Sequence, residues 1–558
     1  MYVSLLAAIA LWAVLLARMW WQPIVADDEL VYMSAVTWPN SPMRVNPPLY
    51  MYSVRLCFAV FGQSVSSARL PGVLAGMFTL ALIPSVIVRV LDKSEQTYWT
   101  AALATWMYAL SPNAVQNMMF IDIDTAFLTA ALLALVWLWL TIEPCPPWQR
   151  IVLLGFGFAL TLWVKLLSPV LTMSAISLYY LLQRQPKRFV EMLGTTSFGG
   201  LVFWLTFRTN LTSQYAFGYT GSFFSRLNIL NPENVQFIAT VFPQGAGVVM
   251  LWLSIPIVIV LVTALFYSIR RWWQRQANVL DALILYGAGG TLAYTIVIFP
   301  AWGYPRYQAP FMVILSLVAA ITIAQSLFRI IRPGWKILVA VAAIGFAFHT
   351  LFIGDPMLRL YLVTFETTTG QLAARLKQGL LDAARVAALI PIMLIISYWA
   401  AKRLRISRSS MLIAATGALA ISSLAATTWA QVNARYSTRY RYGYGLDDML
   451  QAARRARDHA GPAGYVAAID DVLFYTGLRG AGIYGLATRS LMGETSISLL
   501  DLMHQRQIDA MVWTTKDAVR SSDVVQSPEI EQILQKCYTQ EIYGVFLVYL
   551  RRPHGDCP

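Results

Sequence analysis

Two groups of carboxylates stand out by where they fall in the chain. Asp27, Asp28 and Glu29 follow closely on the first apolar run, which spans residues 3–16. Asp122 and Asp124 interrupt the apolar stretch Met-Met-Phe-Ile-Asp-Ile-Asp-Thr-Ala-Phe. A carboxylate at membrane depth costs roughly 3 kcal/mol, so a pair of them marks a functional site by default. Acidic side chains contribute little to membrane orientation, so topology does not call for the first trio; a solvated helix end accounts for it as well as a site does. Brought together, two acidic corners suit proton transfer, and their oxygens can also hold a hard divalent cation. The four histidines, His349, His459, His504 and His554, are scattered, and a His-rich zinc centre is not expected.

Cations of matching position exist. Lys165 in Trp-Val-Lys-Leu-Leu-Ser-Pro and Arg306 in Gly-Tyr-Pro-Arg-Tyr-Gln-Ala-Pro are each the sole basic residue in a short break between apolar runs. Arg44, Arg55 and Arg69 follow the first acidic trio. Arginine offers phosphate a planar fork and lysine a point charge. Any one of them alone can equally be an interfacial anchor.

The elements that must position these groups are membrane helices. Of the 558 residues, 58% are hydrophobic and only 13% charged, against about 25% charged in a soluble domain. Apolar runs predict about thirteen spans of a hydrocarbon core of roughly 30 Å. They fall near 3–21, 68–91, 99–117, 125–142, 151–166, 168–183, 189–206, 246–269, 279–299, 308–328, 337–353, 383–400 and 411–430. The net charge of +14 does not imply a nucleic-acid partner. It is gathered in links between spans, at Arg184/Lys187/Arg188, Arg270/Arg271/Arg275, Arg329/Arg332/Lys336 and Lys402/Arg403/Arg405/Arg408. Threading the chain from a cytoplasmic N-terminus puts every one of these clusters on the cytoplasmic side. The first run lacks a basic leader and is expected to remain as an uncleaved helix.

That topology delivers both acidic groups, Lys165, the 301–307 loop and the first loop, residues 22–68, to the outer face. Residues 1–430 then form a transmembrane unit and 431–558 a small extracytoplasmic α/β domain. Within the latter the pattern predicts helices over 446–459 and 499–506 and strands over 465–469, 510–513 and 542–550. Cys537 and Cys557 lie in that segment, where a disulfide is permitted and two free thiols equally so; Cys57 and Cys145 read as structural.

The order Asp28-Glu29, Tyr32, Asn46-Pro47-Pro48-Leu49-Tyr50, Phe61-Gly62, Ala68-Arg69-Leu70-Pro71 resembles the polytopic glycosyltransferases of the C superfamily (GT-C). It is most similar to the group of the dolichyl-phosphate-mannose protein mannosyltransferases and the lipid A aminoarabinose transferase. The Asp122/Asp124 corner, the Lys165 turn and Pro305-Arg306-Tyr307 follow in the family's order, so the resemblance spans nearly the whole chain. It implies a sugar on polyprenyl phosphate as donor and an envelope lipid, glycan or protein as acceptor. Transfer would take place at the outer face of the cell inner membrane. It further implies Asp28, Glu29, Asp122 and Asp124 as catalytic acids. Lys165, Arg306, Arg44 and Tyr307 become donor-phosphate contacts, and Asp27, Asn46, Tyr50 and Arg69 position the acceptor or the loop. No metal or cofactor is required by the resemblance, although the carboxylates leave a divalent cation open. One departure stands out: the family often carries Lys or His before the Pro-Pro pair, and here the residue is Asn46. Either Arg44 takes over its role or the headgroup is held differently.

A transporter or flippase of a lipid-linked sugar would also explain the spans, but its site is expected near the midplane between related halves, and no such halves are visible. A glycan polymerase or ligase of another fold shares the substrate class without placing both acids and the Pro-Pro segment in the first outer loop.

Overall fold

The computed structural model describes residues 1–20, 36, 49–91, 93–207, 225, 226, 228, 230–297, 305–350, 381, 388, 391, 392, 395–405, 407–434, 446–484, 487–490, 497–505, 507–514 and 527–553. Among the described residues fifteen α-helices precede the first strand: α1 (Tyr2–Met19), α2 (Leu49–Phe61), α3 (Val65–Val90), α4 (Glu95–Ala109), α5 (Pro112–Met119), α6 (Leu128–Thr141), α7 (Pro147–Leu162), α8 (Leu167–Leu182), α9 (Pro186–Phe207), α10 (Pro232–Leu253), α11 (Ile255–Trp273), α12 (Val279–Val297), α13 (Ala309–Phe348), α14 (Arg408–Ala434) and α15 (Leu446–Ala460). Among the described residues eight helices are long and apolar enough to cross a membrane, and five shorter apolar ones accompany them.

Three departures from the expected spans have local causes. The run at 99–117 is two helices, because Pro112 has no N–H to extend α4 and instead opens α5. Likewise the run at 246–269 is split at Ser254 (φ 71°), where Pro256 stands in the first turn of α11. The runs at 308–328 and 337–353 belong to one 40-residue helix, α13.

Close backbone approach sets the position of α5. Gly72 and Gly76, four apart on α3, face Met118: a Cβ on Gly72 would stand 3.0 Å from the Met118 carbonyl, and one on Gly76 would collide with its side chain. Small residues at this spacing let membrane helices meet without a gap. Arg69, one turn before Gly72 and fully buried, donates to the carbonyls of Met119 (3.1 Å) and Trp20 (2.8 Å). It ties the ends of α1 and α5 to α3.

Among the described residues the C-terminal unit forms a six-stranded sheet in the order β3-β2-β1-β4-β6-β5. Its elements are β1 (Tyr465–Ala468), α16 (Asp470–Thr476), β2 (Arg479–Tyr484), β3 (Ala487–Ser490), α17 (Leu499–Gln505), β4 (Ala510–Thr514), α18 (Pro528–Cys537), β5 (Tyr538–Tyr543) and β6 (Phe546–Arg551). β1 runs parallel to β2 and β4, and the outer pairs are antiparallel. The single strand expected at 542–550 is the end of a hairpin, turned at Gly544 (φ 57°), where glycine alone adopts the left-handed backbone freely. Ala452, Ala453 and Ala456 of α15 share the buried core of the sheet. Cys537 is disulfide-bonded, Cys57 and Cys145 are free, and Cys557 lies outside the described residues.

Candidate active site

After α5 the chain runs extended through Phe120 and Asp122, then passes through a kinked turn, Ile123–Phe127, before α6. The Asp122 carboxylate accepts the Asp124 N–H at 2.9 Å, capping that turn. Thr125 departs from helical geometry (φ −103°, ψ −123°), and its hydroxyl donates to the Asp122 carbonyl at 2.8 Å. Here both carboxylates turn inward: Asp122 is 3% and Asp124 4% exposed.

Each meets a cation. Arg306 Nη1 lies 3.0 Å from Asp122 Oδ2, and Lys165 Nζ pairs with Asp124 Oδ1. Tyr307 joins the two pairs: its ring centroid is 4.5 Å from the Arg306 guanidinium and 4.9 Å from Lys165 Nζ. The Arg306 Nη2 also donates to the Tyr307 hydroxyl. Tyr307 in turn stacks on Tyr294 (5.9 Å, 9°), whose hydroxyl hydrogen-bonds Ser168 at 2.8 Å. Four chain segments thus converge on one buried, ion-paired cluster. Desolvating two charge pairs costs about as much as their attraction returns, so stability alone does not explain it. What it supplies is a guanidinium and an ammonium held close together in a medium where charge acts strongly.

Of the residues singled out by sequence, Asp122, Asp124, Lys165, Arg306 and Tyr307 share this cluster. Tyr50, fully buried, packs edge-on to Phe127 at 5.3 Å. Arg69 acts through the Met119 carbonyl, which it holds three residues before Asp122. Asp27, Asp28, Glu29, Arg44 and Asn46 lie outside the described residues. No three metal-ligating side chains gather among the described residues. Sequence reasoning missed Tyr294 and Ser168; nothing in an apolar run distinguishes a tyrosine that supports another ring 13 residues away.

Beside the cluster opens an apolar groove of about 620 Å³ between α2, α3, α6 and α7. Leu56, Pro71, Phe78, Trp137 and Leu160 line it, and Phe127 and Val164 also border it. Val164 adjoins Lys165 in the chain, and Phe127 is three residues past Asp124. From Phe127 to Leu138 the groove follows α6 for roughly 16 Å at the helical rise. Leu56, Phe78 and Leu160 also expose half or more of their surface, so the groove opens sideways toward lipid. From the C-terminal unit, Phe474 of α16 packs against the apolar cluster that holds Tyr50, Ile121 and Ile123, beside the acidic corner.

The profile of the dolichyl-phosphate-mannose-protein mannosyltransferase family matches residues 45–211. That stretch carries Asp122, Asp124 and Lys165 and stops short of Arg306. No curated protein sequence matches. The crystal structure of ArnT from Cupriavidus metallidurans bound to undecaprenyl phosphate superposes with a TM-score of 0.56 at 13% identity, over 99% of this chain and 98% of that one. The same protein in the apo state gives 0.55 at 15%, over 98% and 97%. The chain has the ArnT fold. The likeness covers both the helical bundle and the terminal sheet of this chain.

Proposed function

We propose that the chain is a membrane glycosyltransferase that moves a sugar from a polyprenyl-phosphate donor to an envelope acceptor, with inversion at the anomeric carbon. One juxtaposition carries this: the buried cluster holding Lys165 and Arg306 adjoins in the chain two residues, Val164 and Phe127, that border an apolar groove. A single-chain isoprenoid phosphate needs both parts, an apolar channel for the tail and cations for the head. Undecaprenyl phosphate is the ligand of the ArnT structure with the same fold.

In the reaction, an acceptor oxygen forms a bond to the anomeric carbon while the bond from that carbon to the phosphate oxygen breaks. The acceptor proton passes to a carboxylate, Asp122 or Asp124, or Asp28 of the first loop with Glu29 beside it. The leaving lipid phosphate carries one more negative charge than the donor. Lys165 and Arg306 therefore stabilise the transition state more than the bound donor, which is what accelerates a reaction. Tyr307 keeps both cations in place, and Arg44 replaces the basic residue absent at Asn46. The acceptor is a lipid, glycan or protein of the cell envelope.

Transfer at the outer face is supported by charge. From Lys165 the 16 residues of α8 lead about 24 Å away to Gln183, whose amide donates to the Ala277 carbonyl. The basic residues Arg184, Lys187, Arg188, Arg270, Arg271 and Arg275 gather near that opposite end, as expected of a cytoplasmic surface.

The test is transfer by purified protein in lipid nanodiscs, using polyprenyl-phosphate sugars labelled in the sugar and envelope extract as acceptor. Label should move to an acceptor with wild type and not with Lys165→Gln; equal transfer by both would refute the reading.

A further inference from the structure

Helix α5 is buried along all eight of its residues, although three are amides. Asn113, Gln116 and Asn117 stand at i, i+3 and i+4, so they share one face, and none is more than 3% exposed. A primary amide carries two N–H donors and an oxygen with two lone pairs. Both polar atoms of Asn117 and the Asn113 oxygen find no hydrogen-bond partner among the described residues. The Asn113 nitrogen reaches only the Met312 sulfur, at 3.9 Å. Buried side-chain polar atoms are satisfied in the large majority of cases, and each unmade bond is destabilising, so two open amides on one short helix call for a reason.

Their position supplies it. Asn117 precedes Asp122 by five residues, and Arg69 pins the intervening Met119 carbonyl. Met312 lies in the first turn of α13, which begins three residues after Arg306. The amide face is therefore bracketed by the two segments that carry the Asp122–Arg306 pair. An amide that both donates and accepts matches a sugar hydroxyl, which does the same, and carries no charge to attract an ion.

We propose that Asn113 and Asn117 hydrogen-bond hydroxyl groups of the sugar on the lipid donor and so set which neutral sugar is transferred. This rests on the glycosyltransferase reading and adds the recognition of the sugar itself. It separates two tasks: Lys165 and Arg306 hold the phosphate, and α5 reads the group to be moved.

The experiment measures thermal shifts of the full-length protein in detergent. The probes are farnesyl phosphate and a panel of farnesyl-phosphate glucose, galactose and mannose. In wild type at least one hexose conjugate should raise the melting temperature beyond farnesyl phosphate alone. Asn117→Leu, close to isosteric, and Asn113→Ala should each melt no lower than wild type without ligand and keep the farnesyl phosphate shift. They should bind the preferred conjugate about tenfold more weakly, losing the sugar's increment. Retention of that increment by both variants would overturn the proposal, as would no increment for any hexose in wild type. A ligand-free melting temperature lowered by both would also overturn it, since the amides would then have structural partners. No shift with farnesyl phosphate itself would overturn the glycosyltransferase reading along with it.

Discussion

Suppose Arg306→Gln and Asp122→Asn are made singly and together. The Arg306 guanidinium is 3.0 Å from Asp122 and 4.5 Å from the Tyr307 ring centroid, with little solvent access. Removing one charge that stabilises a developing anion typically costs about 100-fold in kcat, or roughly 2.7 kcal/mol. Asp122→Asn leaves the guanidinium against Tyr307 but lets it swing from its aim, so it should cost a substantial part of the same factor. If Asp122 works by holding Arg306, the double variant should be no more than about threefold slower than Arg306→Gln alone. Independent roles would instead multiply toward 10,000-fold, and interaction energies of up to about 3 kcal/mol are usual for touching residues. The assay is initial rate against polyprenyl-phosphate sugar concentration, with accumulation of each variant checked by size-exclusion chromatography. Multiplicative losses would refute a positioning role for Asp122 through Arg306 and would favour it as the proton acceptor among the candidate carboxylates.

Other consequences concern the scaffold and the lipid. Arg69→Ala should destabilise the protein by about 2–4 kcal/mol, read as a fall in melting temperature, because one buried and one part-buried carbonyl lose their donor. Gly76→Ala should cost roughly 1–3 kcal/mol by driving a methyl into Met118, and Met118→Ala in the same chain should restore most of it. Cys57→Trp, within the groove, should raise KM for an undecaprenyl donor while leaving a donor with a very short chain nearly unaffected. In the terminal sheet the hydrogen bond from Arg455 holds the Glu541 carboxyl below its usual range. A depressed folded-state value adds stability above the unfolded pKa that disappears as pH falls through the folded one. Glu541→Gln should therefore flatten the acid side of the melting profile, by less than about 1 kcal/mol given how exposed Arg455 is.

The members of the charged cluster were readable in the chain because membrane depth makes charge conspicuous. Asp122, Asp124, Lys165 and Arg306 each break an apolar run, and the fold gathers all four. Which acid meets which base was not readable: the partners are 41 and 184 residues apart, and periodicity reports only local geometry. Pro112 and Pro256 carried enough information to break their runs, but an apolar window averages over a single proline. Asn113, Gln116 and Asn117 were visible as three amides near the end of an expected span, and their shared face required the helix to start at Pro112. In the terminal unit, short strands such as Ala487–Ser490 lack the alternation that would announce them, since partner strands rather than local sequence define them.

The most direct measurement is an experimental structure with undecaprenyl phosphate bound. Its phosphate should lie within about 3 Å of both Lys165 Nζ and the Arg306 guanidinium, with the isoprenoid running along α6 past Leu56 and Trp137. A phosphate seated elsewhere, with the Asp122–Arg306 and Asp124–Lys165 pairs remote from the lipid, would contradict it.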